Sequence, residues 1–176
     1  MFSSFLFSGH SQNFWVNLLG FNIVWSLCIF VGNQAIPIVV CLLVLHLLLH
    51  QQFHTELQVV LMTGSVGYCI DCFLTLLGFF RFDTVQGITP LWLLFLWLAF
   101  CATLRQSLAY FSRHRVAAAL FGAFGGTSAY MAAAHFGAVE LGQSFVISTI
   151  TLGFIWAFLF PLLVWMSKTI EVELCR

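Results

Sequence analysis

The chain has 176 residues, of which 61% are hydrophobic, 17% aromatic and only 7% charged. Soluble domains carry roughly 25% charged residues, so the composition indicates a membrane protein and argues against a soluble one. The formal net charge is zero, which gives nucleic-acid binding no electrostatic basis. At about 20 residues a span, the length accommodates about six membrane-spanning helices in a single domain, residues 1–176.

Apolar runs separated by short connections predict an all-α bundle of six transmembrane helices. Pro37 and Pro90 stand near the starts of the second and fourth runs, where a proline suits the first turn of a helix. An even number of spans puts both termini on the same side of the membrane. The predicted helices cover residues 13–31, 35–50, 57–80, 90–108, 116–139 and 145–166.

The distribution of Lys and Arg predicts the orientation of these spans. Cytoplasmic loops of membrane proteins carry an excess of basic residues. Arg81 falls on the side opposite the termini, and every other basic residue falls on the side of the termini. We therefore expect cytoplasmic N and C termini. The basic residues on that side are Arg105, Arg113, Arg115, Lys168 and Arg176.

Asp71 lies within the apolar run 59–80. An ionisable residue at that depth is costly, and it usually faces the interior of the bundle and marks a functional site. Gly64, Gly67, Asp71, Thr75 and Gly78 recur at steps of three and four, which places them on one helix face. Small residues on that face favour close approach of a neighbouring helix. The role of Asp71 stays open between structural hydrogen bonding and contact with a proton, an ion or a substrate.

Polar residues in two other helices fall at a similar depth. Asn22, with Trp25 beside it, lies near the middle of the first helix, and Thr127 and Ser128 lie near the middle of the fifth. We expect them to form one buried ligand-binding cluster with Asp71. The fifth helix is rich in Ala and Gly, which predicts a central position, and its GxxxG pair suits either internal packing or a homodimer.

Arg105 is the basic candidate for ligand binding, because it lies in the cytoplasmic third of the fourth helix. Its side chain can extend to the head groups, or it can bind an anionic group in a cleft. With Arg113, His114 and Arg115 it forms a basic patch that would attract anionic lipid.

His46, His50 and His54 follow each other at steps of four, so they share one face if the second helix continues. Two histidines one turn apart can bind a metal ion. No carboxylate or cysteine at ligand spacing completes a site, although Glu56 is close in sequence. His46 and His50 are therefore weak metal candidates, and no metal or cofactor is predicted.

Several stretches resemble the bacterial inner-membrane family known as domain of unknown function 2878. The resemblance covers residues 13–166, and its most specific part runs from Pro90-Leu-Trp92 to Leu-Trp97-Leu-Ala-Phe100. It also includes Trp25, Asp71, Tyr130 and other single residues. The family tends to have Gln near Asn22 and Pro near Thr127, so the polar cluster varies. The resemblance implies a multi-pass protein of the bacterial inner membrane that accompanies enzymes modifying membrane fatty acyl chains.

These observations favour a non-catalytic accessory protein that binds lipid or a hydrophobic small molecule, in membrane-lipid modification or envelope stress. Its expected partners are membrane lipid and a lipid-modifying enzyme. Two alternatives stay open: a small proton-coupled transporter that uses Asp71, and a membrane-embedded metal-dependent enzyme that uses His46 and His50.

Overall fold

The computed structural model describes residues 13–83 and 88–174, and the chain there is predominantly helical. Arg176, which entered the prediction of orientation, lies outside the described residues. A π-helical turn, Gly122–Gly126, joins α5 to α6, and 3₁₀ turns cover Gly32–Ala35 and Ala109–Arg113. The helices are α1 (Phe14–Val31), α2 (Ile36–Leu49), α3 (Phe53–Leu76), α4 (Leu91–Cys101), α5 (Arg115–Phe121), α6 (Thr127–His135) and α7 (Phe145–Leu174). The strands are β1 (Phe80–Arg81) and β2 (Glu140–Leu141).

The helices alternate in direction between two ends of the bundle. Val16 at the start of α1 and Leu49 at the end of α2 line one cavity, so these two helices are antiparallel. The end of α3 and the loop before α7 meet where β1 pairs with β2. We call this the strand end. At the opposite end, which we call the Arg105 end, Arg105 hydrogen-bonds to Gln52 before α3 and to Glu171 near the end of α7.

Four helical stretches in the described part of the chain are long and apolar enough to cross a membrane: Phe14–Leu49, Phe53–Leu76, Arg115–His135 and Phe145–Leu174. The first of them contains the antiparallel helices α1 and α2 and the 3₁₀ turn between them. Leu91–Cys101 is also apolar but shorter. At 1.5 Å per residue it spans only about 16 Å, roughly half the hydrocarbon thickness. The composition and these helices are those of an all-α membrane protein.

As predicted, the small-residue face of α3 packs closely against a neighbouring helix, which is α4 and not the first or fifth predicted helix. A Cβ added at Gly64 would lie 2.8 Å from the Leu98 side chain, and one added at Gly67 would overlap the indole ring of Trp97. Asp71 continues this face and is 2% exposed. Because glycine has no side chain, the axes of α3 and α4 approach until the Trp97 ring covers Gly67.

Helix α3 covers Phe53–Leu76, so the predicted range 57–80 is wrong at both ends. The start is earlier because Glu56, which is fully buried, is hydrogen-bonded within the bundle and does not end the helix. The end is earlier because Gly78, with φ 73°, adopts the left-handed conformation. The Phe79 N–H donates to the Leu74 carbonyl and the Gly78 N–H to the Thr75 carbonyl, which is a Schellman ending.

Helix α4 ends at Cys101, so the predicted continuation to residue 108 is wrong. The Asn17 side-chain amide donates to the Ala102 carbonyl at 3.3 Å. Its Oδ1 accepts from the Ser107 hydroxyl at 2.6 Å. An uninterrupted helix would pair the Ala102 carbonyl with its own backbone. Asn17 provides partners from α1 instead, which stabilises the turns after α4.

The predicted helix 116–139 is divided by the π-helical turn and ends at His135. Its glycines pack within the chain: a Cβ at Gly122 would meet the Trp156 backbone and Phe160, and one at Gly126 would overlap the Trp156 ring. The expected central position is wrong, because Leu120 is exposed on the outer side of this stretch. Gly122 and Gly126 permit the close packing against α7, whereas Gly125, Ala129 and Ala133 line a cavity.

Helix α7 is eight residues longer than predicted and ends at Leu174. Its last turns are held by Glu171, which accepts hydrogen bonds from Lys168 one turn earlier and from Arg105. The strand pair was not predicted. Phe80 pairs with Leu141 and Arg81 with Glu140 in antiparallel register.

We expect the Gly67→Ala substitution to destabilise the protein by about 1–3 kcal/mol, because the added methyl group would force the Trp97 ring from its position. Gly20→Ala is the matched control, since nothing lies within 4 Å of a Cβ there. It should be neutral or stabilising by up to about 1 kcal/mol, the helix preference of Ala over Gly. Thermal unfolding in detergent compares the two variants, and equal melting temperatures would contradict the packing described here.

Candidate functional site

Asp71 is the centre of a buried hydrogen-bond group. Its Oδ2 accepts from Trp97 Nε1 of α4 at 2.7 Å and from the Tyr130 hydroxyl of α6 by a short hydrogen bond. No ion pair among the described residues includes Asp71. The carboxyl group is therefore held by two neutral donors, and it joins three helices at one atom.

The rings of Trp97 and Tyr130 form part of the wall of an apolar cavity of about 160 Å³, which we call the aromatic cavity. The Trp97 ring stacks on Trp156 of α7, with centroids 5.5 Å apart and planes at 7°. The Tyr130 ring stacks on Phe80, with centroids 5.1 Å apart. The wall also includes Phe21, Trp25 and Ile29 of α1, Trp92, Leu93, Leu96 and Phe100 of α4, Phe121, Gly122, Gly125, Gly126, Ala129 and Ala133 of the α5–α6 stretch, and Phe160 of α7.

Asp71 is not among the residues that line this cavity. It lies behind the wall and contacts the polar edges of Trp97 and Tyr130, whose apolar faces meet the cavity. Because an indole N–H and a phenol each need a hydrogen-bond partner when buried, the carboxyl group fixes the orientation of both rings. Asp71 therefore acts on the two rings in the cavity wall and does not itself line the cavity.

The polar cluster expected around Asp71 has different members from those predicted. Asn22 is exposed and donates to the Leu18 carbonyl in its own helix, and Ser128 donates to the Gly125 carbonyl. Both side chains therefore satisfy their hydrogen bonds locally and face outward. Thr127 is buried, and its hydroxyl has no partner.

Trp25, also predicted as a ligand-binding residue, does line the aromatic cavity. Trp97 and Tyr130 were not predicted as site residues. Their chemistry could have identified them. Each carries a polar group that needs a hydrogen-bond partner when buried, and Asp71 is the one acidic acceptor in the apolar run 59–80.

Arg105 belongs to a second polar group at the Arg105 end. Its side chain is 7% exposed, so it does not extend to the head groups as one alternative predicted. Its Nη1 donates to Glu56 Oε2 at 2.8 Å, and its Nη2 donates to Glu171 Oε1 at 3.1 Å and, by a short bond, to Gln52. Gln106 Nε2 donates to Glu56 Oε1 at 3.3 Å. A buried guanidinium is stable here because two carboxylates compensate its charge.

His46 and His50 also meet Glu56. Nε2 of His46 lies 3.0 Å from Oε1, and Nε2 of His50 lies 3.5 Å from Oε2. Nδ1 of His50 accepts from the Gln52 N–H, which leaves its Nε2 as the protonated nitrogen of the neutral ring. Burial holds the pKa of His50 below its ordinary value, while the Glu56 carboxylate opposes this shift.

The sequence did not predict Glu56 as the common partner of these groups. Arg105 already occupies its carboxylate, so the two histidines and Glu56 form a hydrogen-bond group around a guanidinium. Within residues 13–83 and 88–174, no group of three or more His, Cys, Asp or Glu side chains is arranged to hold a metal ion.

The aromatic cavity, with its buried acid behind the wall, belongs to a helical membrane protein of a family without an assigned activity. The family model described as "Protein of unknown function (DUF2878)" matches residues 14–162, and the chain belongs to this family. No curated protein and no solved structure gives a match.

We expect Asp71→Ala to destabilise the protein, because it leaves the Trp97 N–H and the Tyr130 hydroxyl buried without an acceptor. Each unsatisfied donor costs about 1–3 kcal/mol. Asp71→Asn keeps a carbonyl acceptor and should lose clearly less. Asp83→Ala, at an exposed aspartate, is the control and should be neutral. Thermal unfolding followed by tryptophan emission measures all three; equal losses in the Ala and Asn variants at position 71 would contradict the proposed hydrogen bonds.

Proposed function

We propose that this protein binds a hydrophobic small molecule or part of a lipid in the aromatic cavity, as an accessory factor in membrane-lipid modification or envelope stress. The observation that carries the proposal is the cavity itself. It is an apolar space inside a small bundle, and its wall is oriented by a buried carboxyl group that the occupant would not touch. These features support a preformed apolar binding site.

The size of the cavity limits its occupant. Sites for drug-sized ligands are commonly about 300–1,000 Å³, whereas engineered apolar cavities of about 150 Å³ bind benzene. The aromatic cavity, at about 160 Å³, is close to the second class. It suits one ring or a segment of one acyl chain, with the rest of the molecule outside the wall.

The wall also favours an apolar occupant chemically. Trp97 and Tyr130 direct their donors to Asp71, so these two rings offer the cavity apolar faces. A polar occupant would lose its hydrogen bonds to water without replacement. The family resemblance implies that this protein accompanies an enzyme that modifies membrane fatty acyl chains. Such an enzyme would act on the lipid, and this protein would present or store the lipid.

We propose that six helical stretches, counting α5 and α6 as one, enter or cross a bacterial inner membrane with the Arg105 end in the cytoplasm. The alternating helix directions support six passes, and α4 is short because the segment after it bonds to Asn17. The buried Arg105 is compensated by carboxylates, so orientation depends on Arg113, Arg115 and Lys168 against Arg81.

Reporter fusions test this orientation. A green fluorescent protein joined after residue 176 should fluoresce, because it would fold in the cytoplasm. Alkaline phosphatase inserted after Asp83, at the strand end, should be active on the opposite side. The reverse pattern, or both reporters on the same side of the membrane, would contradict six passes in this orientation.

Filling the aromatic cavity tests its function. Gly125 lines the cavity, and a Cβ there would make only ordinary contacts with Phe121, at 3.6 Å or more. We expect Gly125→Leu to fold and to abolish binding, so that quenching of tryptophan emission by brominated acyl chains falls to the background of exposed tryptophans. In a deletion strain, it should fail to restore the wild-type lipid profile.

Gly20→Leu is the matched control, because it adds the same side chain beside a different cavity. It should bind the brominated chains and restore the lipid profile as the wild type does. A deletion strain whose lipids are unchanged would contradict a role in lipid modification. Undiminished quenching in the Gly125 variant would contradict binding in the aromatic cavity.

A further inference from the structure

A second cavity, of about 410 Å³, lies between the segment after α4 and the last turns of α7. We call it the basic cavity. Arg105, Arg113 and Lys168 line it together with one acidic residue, Glu171. It shares no lining residue with the aromatic cavity, so an inference about it does not depend on the function proposed above.

The charges around the basic cavity are not balanced. Glu171 accepts from Arg105 and from Lys168, and Glu56 accepts from Arg105. No ion pair within the described ranges includes Arg113. Among the described residues, the three cations that line the cavity therefore have two carboxylate partners, Glu171 in the cavity and Glu56 behind it, which leaves one positive charge for an anion.

Arg105 adds an unsatisfied donor. Its side chain is 7% exposed and lines the cavity, and its Nε is buried without a hydrogen-bond partner. Buried N–H groups without an acceptor are rare in proteins and costly. Because Nε has almost no accessible surface, an anion oxygen would become its acceptor only with a small shift of the Arg105 side chain. Arg113 and Lys168, both exposed, would supply the first charged donors.

The surroundings indicate the depth at which the anion lies. Tyr110 lines the cavity and is 62% exposed, and Trp165 on α7 is 60% exposed close by in sequence. Exposed Trp and Tyr residues are typical of the level of the lipid head groups. Basic pockets between helices at this level are suited to anionic lipid head groups.

We propose that the basic cavity binds the phosphate group of an anionic phospholipid, with Arg105 Nε, Arg113 and Lys168 as its donors. The phosphate oxygens complete the hydrogen bonding of Arg105 and neutralise the excess charge. The glycerol and acyl chains extend along the outer surface of α7, which exposes Phe154, Phe158 and Leu162 to the bilayer.

Binding of short-chain phosphatidylglycerol to the full chain in detergent tests the proposal, with thermal shift and native mass spectrometry as readouts. Phosphatidylglycerol should raise the melting temperature and remain bound, whereas phosphatidylcholine of the same chain length should do neither. Arg113→Gln and Lys168→Gln, both at exposed positions, should each weaken binding by roughly tenfold, the effect of losing one charged donor.

Arg115→Gln is the matched control, because it removes the same charge two residues away at an exposed position that does not line the cavity. Its affinity should stay within about twofold of the wild type. Equal weakening by the Arg113 and Arg115 variants would overturn the proposal in favour of general charge attraction. Inorganic phosphate that binds as tightly as the lipid would overturn the assignment to a lipid head group, as would equal binding of phosphatidylcholine.

Discussion

The two hydrogen bonds that converge on Asp71 Oδ2 are the interaction on which the centre of this bundle depends. They connect α3 to α4 and α6, and ring stacking extends the connection from Trp97 to Trp156 on α7. The geometry requires glycine at position 67, because the Trp97 ring occupies the space of a side chain there. Backbone clearance, ring orientation and the shape of the aromatic cavity are thus consequences of one carboxyl group and its neighbours.

The protein holds its two buried acids by different means. Asp71 meets neutral donors, whereas Glu56 meets a guanidinium, an amide and two imidazoles. They lie 15 residues apart on α3, which corresponds to about 22 Å along the helix axis. The interior therefore has one acid that is held by neutral donors behind the wall of the aromatic cavity, and one that is held mainly by charged or ionisable partners near the Arg105 end.

Periodicity was sufficient to predict the inward direction of Asp71 and the glycine face beside it, because both follow from the 3.6-residue turn of one helix. It could not identify Trp97 and Tyr130 as partners, since that choice depends on the rotation of three helices about their axes. Asn22 was at a suitable depth but on the outer face. Depth along a helix can be read from sequence, whereas the facing direction of a neighbour cannot.

The ends of the helices were harder to predict for a related reason. Asn17 ends α4 by bonding to a carbonyl 85 residues away in the chain, and Glu56 permits α3 to start early because Arg105 pairs with it. Such contacts join residues that no local window contains. Gly78, in contrast, is a local signal: a glycine after an apolar run is typical of a helix ending, and it was assigned to the helix face instead.

The length of α7 has a consequence for the relation between this protein and its bilayer. Thirty residues extend about 45 Å, which exceeds a hydrocarbon layer of about 30 Å, while α4 beside it extends only about 16 Å. A helix that is too long tilts or extends beyond the acyl region, and the balance changes with membrane thickness. Because Glu171 on α7 is tied to Arg105, a change of tilt moves the segment after α4 as well. A thicker or thinner lipid layer around α7 would thus act on the segment after α4 through this ion pair.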